Sequence, residues 1–271
     1  MNYRKYNKYK HMGKVIAIAN HKGGVAKTTT ALNFGAGLVL EGKKVLLVDV
    51  DPQCNLTETL LQEPSEKTVY TSMLSGEAMQ PLKIKEGLYL IPSDKNLNAA
   101  DMQLATREGA QVLLRGIMES YRKDFDYILI DTPPSRAIVT VNALSAADEV
   151  IIPTLAEILS VRGVKDIQEL MELVRERINP SLTLRGFLLV MFGDRTGAAK
   201  KTAVYIEGIA SILKTRVFRT RIRKNVTVVE SQMAGTDIFE ENPLANAARD
   251  YRDFAREYLG LPPFDYSAVA K

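Results

Sequence analysis

The stretch KVIAIANHKGGVAKTTTALNF, Lys14 to Phe34, constrains the fold more than any other part of the chain. A short apolar, β-rich run over 14–19 passes through a glycine-bearing loop straight into a helical pattern that continues to about Leu40. A strand that empties into a helix in this way is the first half of a parallel crossover, because the helix carries the chain back over the sheet. The loop lies close to the pattern G-x-x-x-x-G-K-[ST]. His21 stands at its first glycine and Ala26 at its last, and an additional Lys22 follows His21. Free backbone N–H groups and the helix dipole favour an anion at such a helix start. Gly23 and Gly24 let the backbone approach that anion closely. In this register Lys27 reaches the β- and γ-phosphates of a nucleotide and the Thr28 hydroxyl serves Mg2+.

The same alternation runs down the chain. Strand-like runs recur at 44–50, 88–93, 127–132, 149–154, 187–192 and 215–222. Helical spacing of apolar residues occupies 96–121, 138–147, 157–178, 197–213 and 244–259. Several strands are apolar on both faces, as strands between two helix layers must be. The expected fold is α/β, a doubly wound, mostly parallel sheet flanked by helices, of the P-loop NTPase type. Residues 1–12 read as a flexible basic arm, 13–260 as one domain and 261–271 as a tail. With 46% apolar residues in 271, the chain can bury a core without staples. The single cysteine, Cys54, excludes an internal disulfide and suits a cytoplasmic setting. No apolar run reaches the roughly 18 residues of a membrane helix. The basic start carries no apolar segment of the secretory kind. The Pro-broken tail is not a basic amphipathic membrane helix.

Two further strands end in carboxylates. VLLVDVDPQCN (45–55) closes on Asp49 and Asp51, and YILIDTPPS (127–135) on Asp131. Side chains at the carboxyl ends of central parallel strands face the ligand crevice. There one carboxylate supports a Mg2+ shell or orients a water for in-line attack, and Asp131 has the form of a Walker B carboxylate. Near the end of the chain lies a third feature. TRVFRTRIRKN (215–225) places Arg219, Arg221 and Arg223 two residues apart, and no acidic residue occurs between Glu207 and Glu230. On a strand these arginines share one face, opposite Phe218, Thr220 and Ile222. That row suits either an edge strand protected by charge or a surface for phosphate backbones.

Four stretches together, KGGVAKTTT (22–30), VLLVDVDPQCN, YILIDTPPS and RKNVTVVES (223–231), resemble the ParA/Soj family of deviant Walker A partitioning ATPases, in the short form without an N-terminal helix-turn-helix domain. The similarity runs from about Gly13 to Leu259. It implies a nucleotide site formed by Lys22, Gly23, Gly24, Val25, Ala26, Lys27, Thr28 and Thr29, with ATP and Mg2+ as cofactors. Lys22 matches the signature lysine that reaches across a dimer to the partner's phosphates. Lys27 matches the loop lysine, Thr28 the Mg2+ ligand and Asp51 the residue that positions the attacking water. Asp49 and Asp131 match acidic positions at the metal. The resemblance further implies an ATP-dependent homodimer that binds double-stranded DNA without sequence preference and sits on the nucleoid. A ParB-like centromere-binding protein would release it by stimulating a slow hydrolysis, in the service of plasmid partition or chromosome segregation. Arg195, Lys200 and Lys224 join Arg219, Arg221 and Arg223 as the expected DNA contacts.

The family usually carries glycine where this chain has Ala26 and Cys54. An alanine forced to φ > 0 costs on the order of 1 kcal/mol and can slow hydrolysis. Alternatives to a partitioning ATPase are therefore a MinD-like positioning ATPase and a nucleotide-gated switch with little turnover. One cysteine per chain cannot supply an iron–sulfur site of the usual kind.

Overall fold

The computed structural model describes residues 12–104, 107–157, 160–193 and 197–268. Among these, seven strands form one sheet: β1 Lys14–Ile18, β2 Val45–Asp49, β3 Leu82–Lys85, β4 Leu88–Ile91, β5 Tyr127–Asp131, β6 Glu149–Leu155 and β7 Thr183–Val190. The helices are α1 Lys27–Leu40, α2 Asn55–Leu60, α3 Val69–Ser75, α4 Ala100–Leu104, α5 Leu113–Tyr121, α6 Ile138–Ala146, α7 Ser160–Arg177, α8 Gly197–Ile212, α9 Thr227–Met233, α10 Ile238–Glu241 and α11 Asn246–Leu259. The sheet order is β3-β4-β2-β5-β1-β6-β7, and every pairing is parallel except β3 with β4. This is the doubly wound, mostly parallel sheet that the alternation predicts.

The two-residue period of each strand divides the core. Val15 and Ala17 of β1, Leu46 and Val48 of β2, and Ile128 and Ile130 of β5 face the layer that contains α5, α6 and α7. Ile16, Ile18, Val45, Leu47 and Leu129 face α1 and α11 on the other side. Both sets are fully buried, which is why these strands read as continuous apolar runs. On the α1 side the helices pack closely. A Cβ on Gly37 would lie 3.1 Å from that of Ala255, and Phe34 stacks against Phe254 with ring centroids 4.7 Å apart. The first turn of α1, which carries the loop lysine, is thereby fixed to the sheet.

Three expectations change. The run at 96–121 is not one helix: Gly109 takes φ 71, a left-handed value, and α4 and α5 fall on either side of it. The short hairpin β3–β4 adds an antiparallel edge that the sequence pattern does not signal. The segment 215–222 is not a seventh strand: it is held to β7 by an isolated bridge between Val217 and Phe187 and by the Ile222 N–H on the Leu189 carbonyl, and a second bridge joins Arg223 to Phe192 just past β7. Between those bridges the N–H groups of Arg219 and Thr220 turn away from the sheet and donate to the Glu257 carboxylate of α11, at 2.9 and 2.8 Å.

Candidate functional site

Strands β2, β5 and β1 are neighbours, so their carboxyl ends bring three distant motifs together. Asp131 is the register partner of both Ile18 and Asp49. The loop after β1, Asp49 and Asp51 after β2, and Asp131 therefore meet at one edge. A cavity of about 530 Å3 opens there, lined among others by Gly23, Gly24, Lys27, Thr28 and Asp51.

The loop carries its own strain. Ala26 precedes α1 with φ 57 and ψ 36, and its side chain caps nothing. Cys54 precedes α2 in the same left-handed conformation, φ 56. These are the two positions where glycine is expected from the resemblance, and the backbone explains why: a Cβ there meets the neighbouring carbonyl, at a cost of about 1–2 kcal/mol. Ala26→Gly relieves that strain, loses a little packing and makes the unfolded chain more flexible. We expect a net gain of about 0.5 kcal/mol, read as a higher denaturation midpoint, with ATP turnover unchanged or raised.

Lys27 is buried, and its Nζ donates to the carbonyl of Lys22 at 3.3 Å. Burial lowers its pKa, while the carboxylates of Asp131 and Asp51 hold it up. Asp131 is fully buried and neither of its oxygens accepts a hydrogen bond. Burial and the nearby Asp49 push its pKa well above the usual carboxylate range; the Thr28 side chain and the Lys27 ammonium oppose the shift. A buried carboxylate whose charge a threonine and a lysine at a phosphate loop offset only in part is the arrangement a divalent cation relieves. The residues fit Mg2+: Thr28 and Asp51 line the cavity, and Asp131 is buried beside Thr28. Among the described residues no cluster of three or more His, Cys, Asp or Glu side chains is arranged to hold a metal ion.

Asp49, expected near the metal, is engaged within the chain in the free protein. One of its oxygens accepts from the Asp51 N–H at 3.0 Å; the other accepts from the N–H and hydroxyl of Thr57 at 2.9 and 2.8 Å. It holds the turn that presents Asp51, and burial raises its pKa to about 6. Asp51 lines the cavity, and its carbonyl accepts from Ser93 at 2.8 Å. Thr57 and Ser93 are supporting residues that motif reading missed.

Lys22 is half-buried. Its N–H donates to Asn20 Oδ1 at 2.9 Å and its ammonium lies 3.2 Å from Glu157. Gly163 of α7 makes room for this turn: a Cβ there would lie 2.5 Å from Asn20 Oδ1 and 3.1 Å from Lys22 Cβ. The only hint in the sequence was a glycine inside a helical pattern. Val25 is buried beneath the loop, and Thr29 Oγ1 accepts from Gln232 of α9 at 3.4 Å. Gln232, Met191 and Asn55 also line the cavity, none of them anticipated as site residues.

The basic row is less free than the sequence suggests. Arg223 forms a fork with Asp250, with Nη2 at 2.6 Å and Nε at 2.9 Å. Arg219 Nε lies 3.7 Å from Glu257, and Arg221 Nη2 lies 3.9 Å from Glu207. Carboxylates absent from the local sequence arrive from α8 and α11. Arg219 remains 87% exposed, and Lys224 is exposed beside it. Arg195 and the Lys200 side chain lie outside the described residues.

The family model described as "AAA domain" matches residues 13–184. The sporulation initiation inhibitor protein Soj of Bacillus subtilis is 37% identical over 251 residues, covering 91% of this chain and 98% of that protein. The chain belongs to the ParA/Soj family of partitioning ATPases. The chromosome-partitioning ATPase Soj of Thermus thermophilus is 38% identical, covering 90% of this chain and 94% of that protein. Among solved structures, a cobyrinic acid a,c-diamide synthase from Mycobacterium smegmatis with bound ATP analog and magnesium superposes with a TM-score of 0.80 at 32% identity. It covers 91% of this chain and 94% of that one. The loop and Asp51 line one cavity, and Asp131 is buried at the same end of the sheet. No described helix is long and apolar enough to cross a membrane.

Proposed function

We propose that this chain is an ATP-driven partitioning switch, with ATP and Mg2+ as its cofactors. The observation that carries the proposal is the fully buried Asp131, close to Lys27 and Thr28, which line the cavity. Bound Mg2+ would supply charge neutralisation between this carboxylate and the phosphates. Gly23, Gly24, Val25 and Ala26 give the loop backbone that surrounds the phosphates, and Thr29 flanks it. Lys27 neutralises charge at the transferring phosphoryl group. Thr28 and Asp131 hold the metal side. Asp51, presented by the Asp49–Thr57 clamp, orients the attacking water. Lys22 acts in the partner subunit's site once its contact with Glu157 opens, so that the closed dimer exists only with ATP. Residues 13–260 work as one unit around this site.

DNA binding falls to the exposed Arg219 and Lys224 and the half-buried Arg221, joined by Arg195 and Lys200. Arg223 holds that segment to α11. Binding is to the backbone of double-stranded DNA, without base reading. A ParB-like partner triggers hydrolysis and release, and the protein is cytoplasmic and nucleoid-associated, serving chromosome or plasmid segregation. The left-handed Ala26 supports a second reading, a switch that binds ATP and turns over little.

The test is capture of a random-sequence duplex with no nucleotide, ADP, ATP and a slowly hydrolysed ATP analogue, at two salt concentrations. Capture should require ATP or its analogue. Its affinity should fall with a log–log salt slope of about −0.9 per phosphate neutralised. Equal capture without nucleotide removes the switch; absence of capture while ATP binds removes the DNA reading. Release of phosphate with and without DNA separates the two readings of Ala26.

A further inference from the structure

Away from the nucleotide cavity, between the end of α8 and the segment that follows it, lies a second cavity of about 460 Å3. Its lining shares no residue with the first. Three arginines line it, Arg216, Arg219 and Arg221, with Glu207 as its single acidic residue. The backbone that carries them is fixed. The Phe187 N–H donates to the Arg216 carbonyl and the Phe218 N–H to the Phe187 carbonyl, both at 2.9 Å. Gly186 lets this segment lie against β7, since a Cβ there would sit 2.7 Å from the Arg216 carbonyl oxygen.

Two of the three guanidinium groups lie over aromatic rings. Arg216 lies 4.5 Å from the centre of the Phe218 ring and Arg221 4.5 Å from that of Phe192. Stacking restrains the plane of a guanidinium and leaves its edges for hydrogen bonds. Those edges are under-used. Arg216 Nε and Nη2 are buried with no hydrogen-bond partner. The approaches of Glu257 to Arg219 and Glu207 to Arg221, at 3.7 and 3.9 Å, are too long for hydrogen bonds. Glu257 is moreover engaged by the N–H groups of Arg219 and Thr220 and by the Thr220 hydroxyl. Burial and the neighbouring Arg185 lower the pKa of Arg216, against the opposing pull of Glu257 and Glu149.

We propose that this cavity is a second oxyanion site, built for a phosphate group. Three guanidinium groups offer more donors than the two oxygens of one carboxylate can use, and phosphate is the common oxyanion that accepts several forks at once. The phosphate comes either from a nucleic-acid backbone or from a free phosphate-bearing small molecule. Two of the three arginines also belong to the proposed DNA edge, yet binding of a small phosphate here does not depend on that reading.

The experiment uses the full chain saturated with ADP and Mg2+, so that the first cavity is filled. Pyrophosphate is titrated while the arginine Nε–H resonances are followed by NMR. The Arg216 and Arg221 signals should move together and saturate. Arg216→Gln should weaken this binding about tenfold, and Arg216→Lys, which keeps charge but loses the fork, should fall between. ADP affinity and the thermal midpoint of each variant report on folding. In a second arm, duplex DNA is captured with the ATP analogue. A several-fold loss in Arg216→Gln, with pyrophosphate competing, identifies the backbone as the source. Unchanged capture with lost pyrophosphate binding identifies a free phosphate ligand. The proposal falls if pyrophosphate leaves these resonances unmoved, if an oligoglutamate peptide moves them and pyrophosphate does not, or if Arg216→Gln binds pyrophosphate as wild type does.

Discussion

Lys27→Ala should reduce both ATP affinity and turnover by about 10²–10³-fold, the loss seen when one preorganised positive donor is removed from a developing oxyanion. The reason lies in how the lysine is held. It is buried at the start of α1, its ammonium within hydrogen-bonding distance of the Lys22 carbonyl, and the carboxylates of Asp131 and Asp51 keep it charged against the effect of burial. Removing it leaves those carboxylates facing one another without a cation. The ligand-free protein should therefore also lose stability, by about 3 kcal/mol if the carboxylates stay charged and less if Asp131 takes up a proton. Titration with a fluorescent ATP analogue, phosphate release and thermal melting read the three effects. Turnover within a factor of two of wild type would exclude Lys27 from the site. A variant that melts like wild type would show that the aspartates are already neutral.

Much of this arrangement was legible in the sequence, for a physical reason. The central strands β1, β2 and β5 are buried on both faces, so they appear as unbroken apolar runs, and the aspartates that end β2 and β5 mark the crevice. What escaped was decided by partners far along the chain. The alternation of 215–222 is a side-chain pattern, but pairing there is settled by Glu257, which takes the N–H groups that a strand would offer to β7. The same carboxylate, with Asp250 and Glu207, tempers a basic row that seems unopposed when only its neighbours in sequence are read. β3 is an edge strand of four residues, Leu82–Lys85, with two lysines, and carries too little apolar signal to stand out. Asp49 and Asp51 look equivalent in the run DVD. Only the fold separates the one that accepts three hydrogen bonds within the chain from the one that lines the cavity.

Asp131→Asn should do the opposite of Lys27→Ala to the ligand-free protein and still disable it. The carboxylate is fully buried with neither oxygen hydrogen-bonded, and its pKa is raised by burial and by Asp49. In the folded state it keeps a proton at a pH where the unfolded chain has released it. Stability is therefore lost as pH rises through the interval between the ordinary carboxylate value and the raised one, the reverse of a salt-bridged aspartate. Asp49 adds a window of the same sign between 3.8 and about 6. Asparagine carries no charge, so the variant should melt higher than wild type near neutral pH, by about 1–3 kcal/mol, and its stability should depend less steeply on pH. The gain has a functional counterpart. An uncompensated carboxylate is what a divalent cation relieves, so wild type should bind ATP at least about tenfold tighter with Mg2+ than without it, and the variant should lose most of that difference. Calorimetric titrations of ATP with and without Mg2+, beside melts across pH, test both halves. Destabilisation near neutral pH would mean that Asp131 is satisfied in the free protein. A preserved Mg2+ effect would move the metal to other oxygens. If both halves hold, the cation site is a local instability kept in the core, relieved only when nucleotide and metal arrive together.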